Sequence, residues 1–517
     1  MYAILEKEQD PYYGGIIMRI SIKRIAVLLL AALLLTGCGN GTAETTAGET
    51  DAAAVETAAP ETETTRAQTK DSLPEDLDFS GLSMPIMYRG CEADIIEILQ
   101  EEELTGEPVS DAVYNRNNSV MERLNVKFEY LPMGTGTADA FPADAKASIV
   151  AGSDDFNIVS WNQFSAVALC LENMVMDLQN APYLDLTKPW WNDEYMDILQ
   201  IGDQKRFYLM GDICLNALRV TAATFFNQKL YNDVFGDYND LYELVLEGGW
   251  TVDQLKAMGE AGYQDVNGDG TMNYGDIFGI DTTTISHCDY FAYCAGFQVS
   301  ARDENGMPYL TLQNEHNYNI IDKFIDLYWN SGNGLFIEKD AGGAFNGTVY
   351  VEDFSSDTIL FMPHWFKICE NLRDMESGYG VIPYPKYDES QKDYISLVHD
   401  SASLFFLPQT CSNVEASCAV LEAMCAETYR TVMPAYYEVA LKRQYARDDI
   451  SANMIELIHD TSMTDFGYVY NYSIGSVGTI MRNVIGKNQN YASAVASVES
   501  KAEAQLAELI ETYTSLE

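Results

Sequence analysis

The sequence predicts an α/β protein built as two lobes, and two observations support that prediction. Its 517 residues exceed what one ordinary hydrophobic core accommodates, so two units of typical domain size are expected. Short apolar strand patterns also alternate with helical patterns along much of the chain, which is typical of parallel α/β architecture. A composition of 47% hydrophobic and 21% charged residues indicates a globular protein.

The N-terminal segment 1–37 has the order of a bacterial secretion signal. Positive residues precede a short apolar run over 25–37, and the run is well below the roughly 20 residues that a membrane-spanning helix needs. The run ends in Leu-Thr-Gly-Cys, which resembles the lipobox of bacterial lipoproteins, where the cysteine is acylated and becomes the first mature residue. We therefore expect lipidation at Cys38, with Met18 as the better start because it places the positive charge at the chain end.

Residues 38–72 are mostly small or polar, chiefly Gly, Ala, Thr and Glu. A segment of this composition cannot bury a core. We expect a disordered, lipid-anchored linker with a root-mean-square reach of about 30 Å.

The folded part is predicted to begin near Leu82. A long apolar and β-branched stretch covers 209–226, and Thr251 is a good N-cap for the helix that follows it. Strands are predicted at 83–90, 125–132, 156–161, 357–363, 379–385 and 401–408. Helices are predicted at 93–103, 138–151, 320–329, along most of the chain from 414, and at 491–516.

The chain is strongly acidic, with 78 Asp and Glu against 31 Lys and Arg and a formal net charge of -47. This charge repels nucleic-acid phosphates, so we expect no nucleic-acid partner. Nine cysteines follow Cys38 without the pairs of spacing two that zinc sites use, so buried free thiols are expected. The local groups that could pair instead are Cys288 with Cys294, and Cys411 with Cys418 or Cys425.

A calcium loop is predicted at 265–276. Oxygen-bearing side chains occupy its positions 1, 3, 5, 9 and 12, with glycine at position 6 and a backbone carbonyl at position 7, as in EF-hand loops. Position 12 is Asp276 where most such loops have Glu, as in dockerin-like loops. A single loop of this kind suits a structural Ca²⁺ better than a signalling sensor. The expected ligands are Asp265, Asn267, Asp269, Thr271, Asn273 and Asp276.

Signatures of catalysis are missing from the sequence. It has no G-x-S-x-G elbow, no H-E-x-x-H, no P-loop and no G-x-G-x-x-G after a strand. The five histidines show no ligand spacing, and chance pairs among 78 carboxylates do not argue for a glycosidase. We expect a protein without enzymatic activity.

Several segments resemble the extracellular solute-binding lipoproteins of ABC importers, in the carbohydrate-type family related to maltodextrin-binding proteins. The resemblance covers nearly all of 74–517. The segments that carry it are LPEDLDFSG (73–81), TGEPVSDAVYNRNNSVMERLNVKFEY (105–130), DLTKPWWNDEY (185–195), FFNQKLY (225–231), LYELVLEGGWTVDQLK (241–256), LRDMESGYGVIPYPKYDESQKDYIS (372–396) and MPAYYEVALKRQYARDD (433–449).

This resemblance implies a type II periplasmic-binding-protein-like fold, in which hinge segments join two α/β lobes and the solute lies in the cleft between them. We assign 73–190 and 345–410 to the first lobe, and 191–344 with 411–517 to the second, helix-rich lobe that contains the calcium loop. The implied protein is a monomer, anchored by lipid on the outer face of the cell membrane. It passes a sugar or oligosaccharide to ABC permease subunits.

The resemblance also suggests which residues touch the solute. Aromatic faces stack on sugar rings, while carboxylates and amides take the hydroxyl groups. Trp161 ends a strand as in the maltodextrin type, and Trp365 and Tyr290 match further cleft aromatics. The full expected set is Trp161, Asn162, Gln163, Asp212, Arg219, Tyr290, Trp365, Tyr436 and Tyr437.

Two other functions remain open on the sequence. One is a surface lipoprotein of the same fold that binds a peptide or another small polar ligand, which a cleft with few rings and many charges would favour. The other is a secreted, calcium-stabilised glycan hydrolase.

Overall fold

The structure is a computed structural model. It describes residues 66–98, 103–136, 139–202, 204–273, 275–332, 335–337, 347–441 and 449–515, which lie in one compact unit, Glu61–Glu517. The predicted signal sequence 1–37, the lipidation site Cys38 and the linker up to residue 65 lie outside the described residues.

The described strands are numbered in chain order. They are β1 Leu82–Arg89, β2 Val126–Met133, β3 Ile158–Asn162, β4 Ala222–Asn227, β5 Phe278–Thr282, β6 Ser300–Arg302, β7 Pro308–Leu310, β8 Leu335–Ile337, β9 Ile359–Trp365, β10 Tyr379–Ile382, β11 Ser396–Leu397, β12 Ser403–Phe406 and β13 Ser462–Met463.

Helices connect and cover these strands. The α-helices are Glu92–Ile98, Pro108–Leu124, Ala143–Val150, Gln163–Ala166, Asp193–Leu199, Leu215–Arg219, Gln228–Phe235, Asn239–Leu246, Val252–Gly262, Ser286–Cys294, Glu315–Ile325, Gly347–Ser355, Val414–Glu427, Met433–Leu441, Asp449–Asp460, Phe466–Val469, Met481–Val484 and Tyr491–Thr514. Shorter 3₁₀ or π segments are Val167–Glu172, Asp326–Asn330, Phe366–Glu370, Leu372–Asp374, Thr428–Val432 and Val477–Thr479.

Two sheets form the centres of the two lobes. The first has the order β12-β3-β1-β2, and the second has the order β10-β4-β9-β5-β8. In the first sheet β1 runs parallel to both β2 and β3, and β12 is antiparallel to β3. In the second, β5 is parallel to β8 and β9, whereas β4 is antiparallel to β9 and β10. The α/β prediction is confirmed, but both sheets are mixed and not purely parallel.

The predicted lobe boundaries differ from this arrangement in two places. The segment 345–410 was assigned to the first lobe, yet β9 and β10 belong to the second sheet because both pair with β4. The segment 411–517 was assigned to the second lobe, yet the helix Val414–Glu427 packs on the first-lobe helix Pro108–Leu124. The chain therefore crosses between lobes more often than the prediction allowed.

The crossing segments are hydrogen-bonded to one another. Leu209 pairs with Phe405 of β12 in the first lobe, and further along the chain Thr221 pairs with Val398 just before β4 enters the second sheet. Directly before Val398, β11 pairs in parallel with β13. These paired segments occupy the position expected of a hinge between the lobes.

A continuous apolar core runs through both lobes. One cluster of buried side chains joins Ile86 and Trp161 of the first sheet to Phe226 and Phe361 of the second. A second cluster, around Phe366, covers another part of the second sheet. Because the core is shared, the lobes pack closely around the crossing segments.

Local signals account for several element boundaries. Thr251 caps the helix Val252–Gly262, since its hydroxyl accepts a hydrogen bond from the Gln254 amide at 3.3 Å, as predicted. Asn490 caps the long C-terminal helix in the same way through Ser493. In β3 all five residues are buried, which fits a strand with a neighbour on each side.

Two further sequence expectations bear on the described residues. Nine cysteines are free and buried there, as predicted: Cys91, Cys170, Cys214, Cys288, Cys294, Cys369, Cys411, Cys418 and Cys425. Within the same part of the chain, no helix is both long enough and apolar enough to span a membrane.

Candidate functional site

Arg219 joins the two lobes at the ends of their strands. Its guanidinium is 1% exposed. It donates to both carboxylate oxygens of Glu370, at 2.7 and 3.0 Å, and also to Glu92. Glu92 follows β1 of the first lobe and Glu370 follows β9 of the second. Burial alone would raise the pKa of Glu370, but the charge and hydrogen bonds of Arg219, with the Tyr436 hydrogen bond and the Lys367 charge, together lower it.

The adjacent tyrosines Tyr436 and Tyr437, both expected to bind solute, make different contacts in the structure. The Tyr436 hydroxyl donates to Glu370 at 2.7 Å and so helps to hold the Arg219 bridge. The Tyr437 ring lies 5.7 Å from the Arg66 guanidinium, near the start of the described chain. Both rings are buried, so in this structure neither presents a face to a solute.

Trp365 is a partly exposed aromatic ring at the end of β9. Its ring centroid lies 5.6 Å from that of His399, and the Lys367 ammonium lies 4.7 Å from the Trp365 ring. Tyr290, which is fully buried, packs behind His399 at 6.0 Å. Two predicted residues, Trp365 and Tyr290, thus come together around a histidine that was not predicted. We call Trp365, His399, Tyr290 and Lys367 the aromatic cluster.

The first lobe contacts this cluster through the end of β3. The Gln163 side chain donates to the His399 carbonyl at 2.9 Å and accepts from the Tyr195 hydroxyl at 2.8 Å. The next residue, Phe164, packs its partly exposed ring 5.6 Å from the exposed ring of Tyr472. Gln163 therefore positions His399 of the cluster. Phe164 and Tyr472 add two aromatic rings that are at least partly exposed to solvent.

Trp161 and Asn162 lie inside the first lobe. The Trp161 indole is fully buried, donates to the Asp139 carbonyl at 3.2 Å and packs edge-on against Phe141. Asn162 donates to the same carbonyl at 2.8 Å and caps the next helix through Ser165. These two residues fasten the segment after β2 to the end of β3, and in this structure neither reaches solvent.

Unsatisfied polar atoms occur on Tyr290, on its neighbour in the chain Asp289, and on Tyr468. Asp289 takes a 2.6 Å hydrogen bond from Arg482 on one oxygen, and its other oxygen is buried without a partner among the described residues. Burial raises the pKa of Asp289 to about 7, against the effect of Arg482. The hydroxyls of Tyr290 and Tyr468, whose rings both pack on His399, are also buried and unpaired within the described chain. Buried polar atoms are nearly always hydrogen-bonded, so these three have capacity for water or solute hydroxyls.

Asp212 belongs to a different part of the molecule. It lines a cavity of about 350 Å³ together with His459, and its Oδ1 accepts from His459 Nε2 at 3.0 Å. The residues that line this cavity do not include the aromatic cluster. The structure therefore separates Asp212 from the other residues expected to bind solute.

The predicted calcium loop is folded by its own side chains. Asp265 accepts from the amides of Gly268 and Gly270, at 2.8 and 2.9 Å, and both glycines have positive φ, at 72° and 73°. Asp276 accepts from Tyr263 and Asn273 on one oxygen, while its other oxygen is buried and unpaired among the described residues. An all-oxygen set with one unsatisfied carboxylate oxygen fits a hard cation.

The sequence reasoning missed His399, Lys367, Phe164 and Tyr472. Two of these follow predicted elements directly: Lys367 lies two residues beyond the strand-end Trp365, and Phe164 lies three beyond Trp161. His399 sits just before a predicted strand at 401–408, where a hinge segment enters the first lobe. That position was the available signal, but a lone histidine is more often structural than functional.

Comparisons with known proteins address the fold. No family model and no curated relative matches this chain. Solved structures match over most of it. An ABC transporter solute-binding protein from Thermotoga lettingae, bound with α-D-tagatose, has 12% identity and a TM-score of 0.51, covering 82% of this chain and 100% of that one.

Two further structures are similar. An ABC substrate-binding protein from Listeria monocytogenes, in complex with cycloalternan, has 10% identity and a TM-score of 0.51, covering 83% of this chain and 99% of that one. The cyclic α-maltosyl-1,6-maltose binding protein from Arthrobacter globiformis has 12% identity and a TM-score of 0.53, covering 82% and 99%. This chain therefore has the two-lobed fold of ABC transporter solute-binding proteins, which confirms the predicted fold class.

Proposed function

We propose that this protein is the extracellular solute-binding component of an ABC importer and that its solute is a sugar or oligosaccharide. The solute would lie between the lobes, against the aromatic cluster. The protein then delivers it to the membrane permease and carries out no chemistry on it. It acts as a monomer.

The observation that carries this proposal is the environment of Trp365. Its ring is partly exposed at the junction of the lobes, where an apolar sugar face can stack on it. The rings of Tyr290 and Tyr468 pack on the neighbouring His399, and Asp289 acts electrostatically on both tyrosines. The unpaired oxygens of these three residues can bond hydroxyl groups. A ring with hydrogen-bonding groups beside it suits a carbohydrate better than a purely apolar ligand. The three similar proteins named above support the same class, since each name or complex includes a carbohydrate.

Cys38 is the proposed membrane attachment. The motif at 35–38 and the apolar run before it support acylation at this residue. Residues 66–72 of the predicted linker belong instead to the folded body, where Arg66 pairs with Glu456 and Asp71 pairs with Arg123. The linker 38–65 would hold the cleft away from the outer face of the cell membrane.

A structural Ca²⁺ is proposed for the loop 265–276. The carboxylates of Asp265, Asp269 and Asp276 and the amides of Asn267 and Asn273 supply oxygen ligands, and extracellular calcium would keep such a site filled. The ion's contribution here is charge neutralisation of a surface loop, which stabilises the second lobe.

A thermal-shift screen tests the solute class. The purified protein is melted with monosaccharides, oligosaccharides and peptides, and we expect stabilisation by at least one carbohydrate and by no peptide. Stabilisation by peptides alone would replace this proposal with the peptide-binding alternative. Chromatography of the carbohydrate after long incubation should return it unchanged, because hydrolysis would identify an enzyme.

A further inference from the structure

The cavity at Asp212 has an acidic mouth and an apolar interior. Asp460 and Glu194 at its edge are exposed, whereas Trp191, Leu218 and Met433 on its walls are buried. Its volume of about 350 Å³ lies in the range of small-molecule sites. A bare metal ion would fill only a small part of such a space.

One buried carboxylate oxygen in this cavity has no hydrogen-bond donor among the described residues. Asp212 is 5% exposed, and its Oδ1 accepts from His459. Its Oδ2 is buried and has no partner among the described residues. An unsatisfied buried carboxylate oxygen is unfavourable, so this oxygen calls for a donor from outside the described residues.

The local charge favours a cation as that donor. His459 is the cation of the cavity lining, and it is shared by Asp212 and Asp460 at 3.0 Å each. Burial alone would lower the pKa of His459, but the hydrogen bonds and the negative charges of these two aspartates together raise it to about 10. The lining holds four carboxylates, since Glu194 and Asp193 join these two aspartates, and Asp193 is paired with Arg206 at 3.0 Å. Arg66, whose charge also acts on Asp212, is itself paired with Glu456. The cavity therefore keeps a negative charge.

A metal ion fits the same residues less well. Glu456, His459 and Asp460 lie close enough together to suggest one. However, Glu456 already receives the Arg66 guanidinium on both oxygens, at 2.7 and 2.9 Å. Both ring nitrogens of His459 contact carboxylates, so the protonated ring has no lone pair to offer.

We propose that this cavity is a second binding site, which takes a small organic cation consisting of a primary ammonium on an apolar body. The ammonium donates to Asp212 Oδ2, and the apolar body lies along Trp191, Leu218 and Met433. The site shares no residue with the aromatic cluster, so it does not depend on the function proposed for the cleft.

Isothermal titration calorimetry with matched probes tests this site. Tyramine and phenethylamine supply an ammonium on an apolar body, and tyrosol is the neutral counterpart of tyramine. At least one amine should bind, and tyrosol should bind at least about tenfold more weakly than tyramine, because it lacks the charge. Failure of both amines to bind, or equal binding of tyramine and tyrosol, would overturn the proposal.

Two variants locate the site, and a third serves as control. Asp212→Asn should weaken amine binding at least about tenfold, since a charge-assisted hydrogen bond is lost. Glu194→Gln, at an exposed position that tolerates change, should weaken amine binding about two- to threefold. This second variant keeps the test valid if the Asp212 variant folds poorly. The exposed Glu304→Gln lies outside the cavity lining and should leave affinity unchanged. Zn²⁺ binding that depends on His459, without amine binding, would replace the organic cation with a metal.

Discussion

The ends of β3 and β9 look alike in sequence and differ in the structure. Each strand is a buried apolar run with a tryptophan at its last or second-last residue, Trp365 or Trp161, and both rings were expected to meet the solute. Trp161 is sealed inside the first lobe beneath Phe141, whereas Trp365 stays partly exposed beside His399. A strand-end tryptophan therefore becomes a candidate binding residue only where the surrounding segments leave part of its ring exposed.

The covering segments explain the difference. After β2 the chain returns over the end of β3, and the Asp139 carbonyl takes hydrogen bonds from both Trp161 and Asn162. The end of β9 instead meets the crossing segment that carries His399. This difference separates a fully buried ring from a partly exposed one. Two predictions test it, and two more concern Glu97 and the proposed calcium loop.

The largest expected effect is on stability. Trp161→Ala should lower the free energy of unfolding by about 3–5 kcal/mol, because removal of a buried aromatic side chain leaves a cavity. Trp365→Ala, at a partly exposed ring, should lower it by about 1 kcal/mol or less. Urea unfolding of the two variants measures both values, and equal losses would mean that the two strand ends do not differ.

The next effect is on solute affinity. Trp365→Ala should weaken binding of the best carbohydrate by about tenfold to a hundredfold, since the stacking surface is lost. The matched control is Trp161→Phe, which keeps an aromatic core residue and should bind as the wild type does. Titration calorimetry compares them. A comparable loss in the Trp161 variant would restore Trp161 to the binding site.

A smaller effect depends on pH at the other face of β3. Glu97 is fully buried there, accepts from Ser160 and from the Asn216 amide, and has a pKa raised to about 8 by burial and by nearby Asp94. An unfolded glutamate titrates near 4.5, so between these values the folded state binds more protons and loses stability as pH rises. Glu97→Gln removes this titration.

Melting temperatures at pH 6 and pH 9 test the Glu97 prediction. The wild type should lose a few degrees more than the Glu97→Gln variant on going to pH 9. Parallel behaviour of the two proteins would show that Glu97 is ionised throughout.

The smallest effect concerns the proposed calcium loop. Addition of Ca²⁺ after chelation should raise the melting temperature of the wild type by about 2–5 °C. Asp265→Ala should abolish that rise, and Asp303→Asn, in an exposed turn outside the loop, should preserve it. If chelation leaves the melting temperature of the wild-type protein unchanged, the loop does not hold a stabilising Ca²⁺.

Much of the fold follows from local sequence signals. The strands at 83–90, 156–161 and 401–408 are apolar runs that end at turn signals, and the structure places a strand in each. The helix Pro108–Leu124 escaped prediction because its 17 residues are largely polar, although Pro108 at its first turn marks a start. Lobe membership could not be read locally, since β9 joins the second sheet through pairing with β4 and β5, which lie far away in sequence.

The candidate site was less predictable than the fold. Trp365 and Arg219 could be found because each lies beside an apolar element with a distinctive residue type. His399 and Tyr472 could not, because their roles arise from packing against Trp365 and Phe164, more than 30 and 300 residues away respectively. Asp212, in contrast, was expected to bind solute because it is a polar residue near the predicted entry to the second lobe. In the structure it lines a cavity separate from the aromatic cluster.

Mass spectrometry of the solute that copurifies with the protein tests the central claim most directly. Wild-type protein and the Trp365→Ala variant are purified in parallel from the same host and denatured, and the released small molecules are identified. We predict a carbohydrate from the wild type and markedly less of it from the variant. A released peptide, or equal amounts of carbohydrate from both proteins, would contradict the assignment of a sugar to the Trp365 cleft.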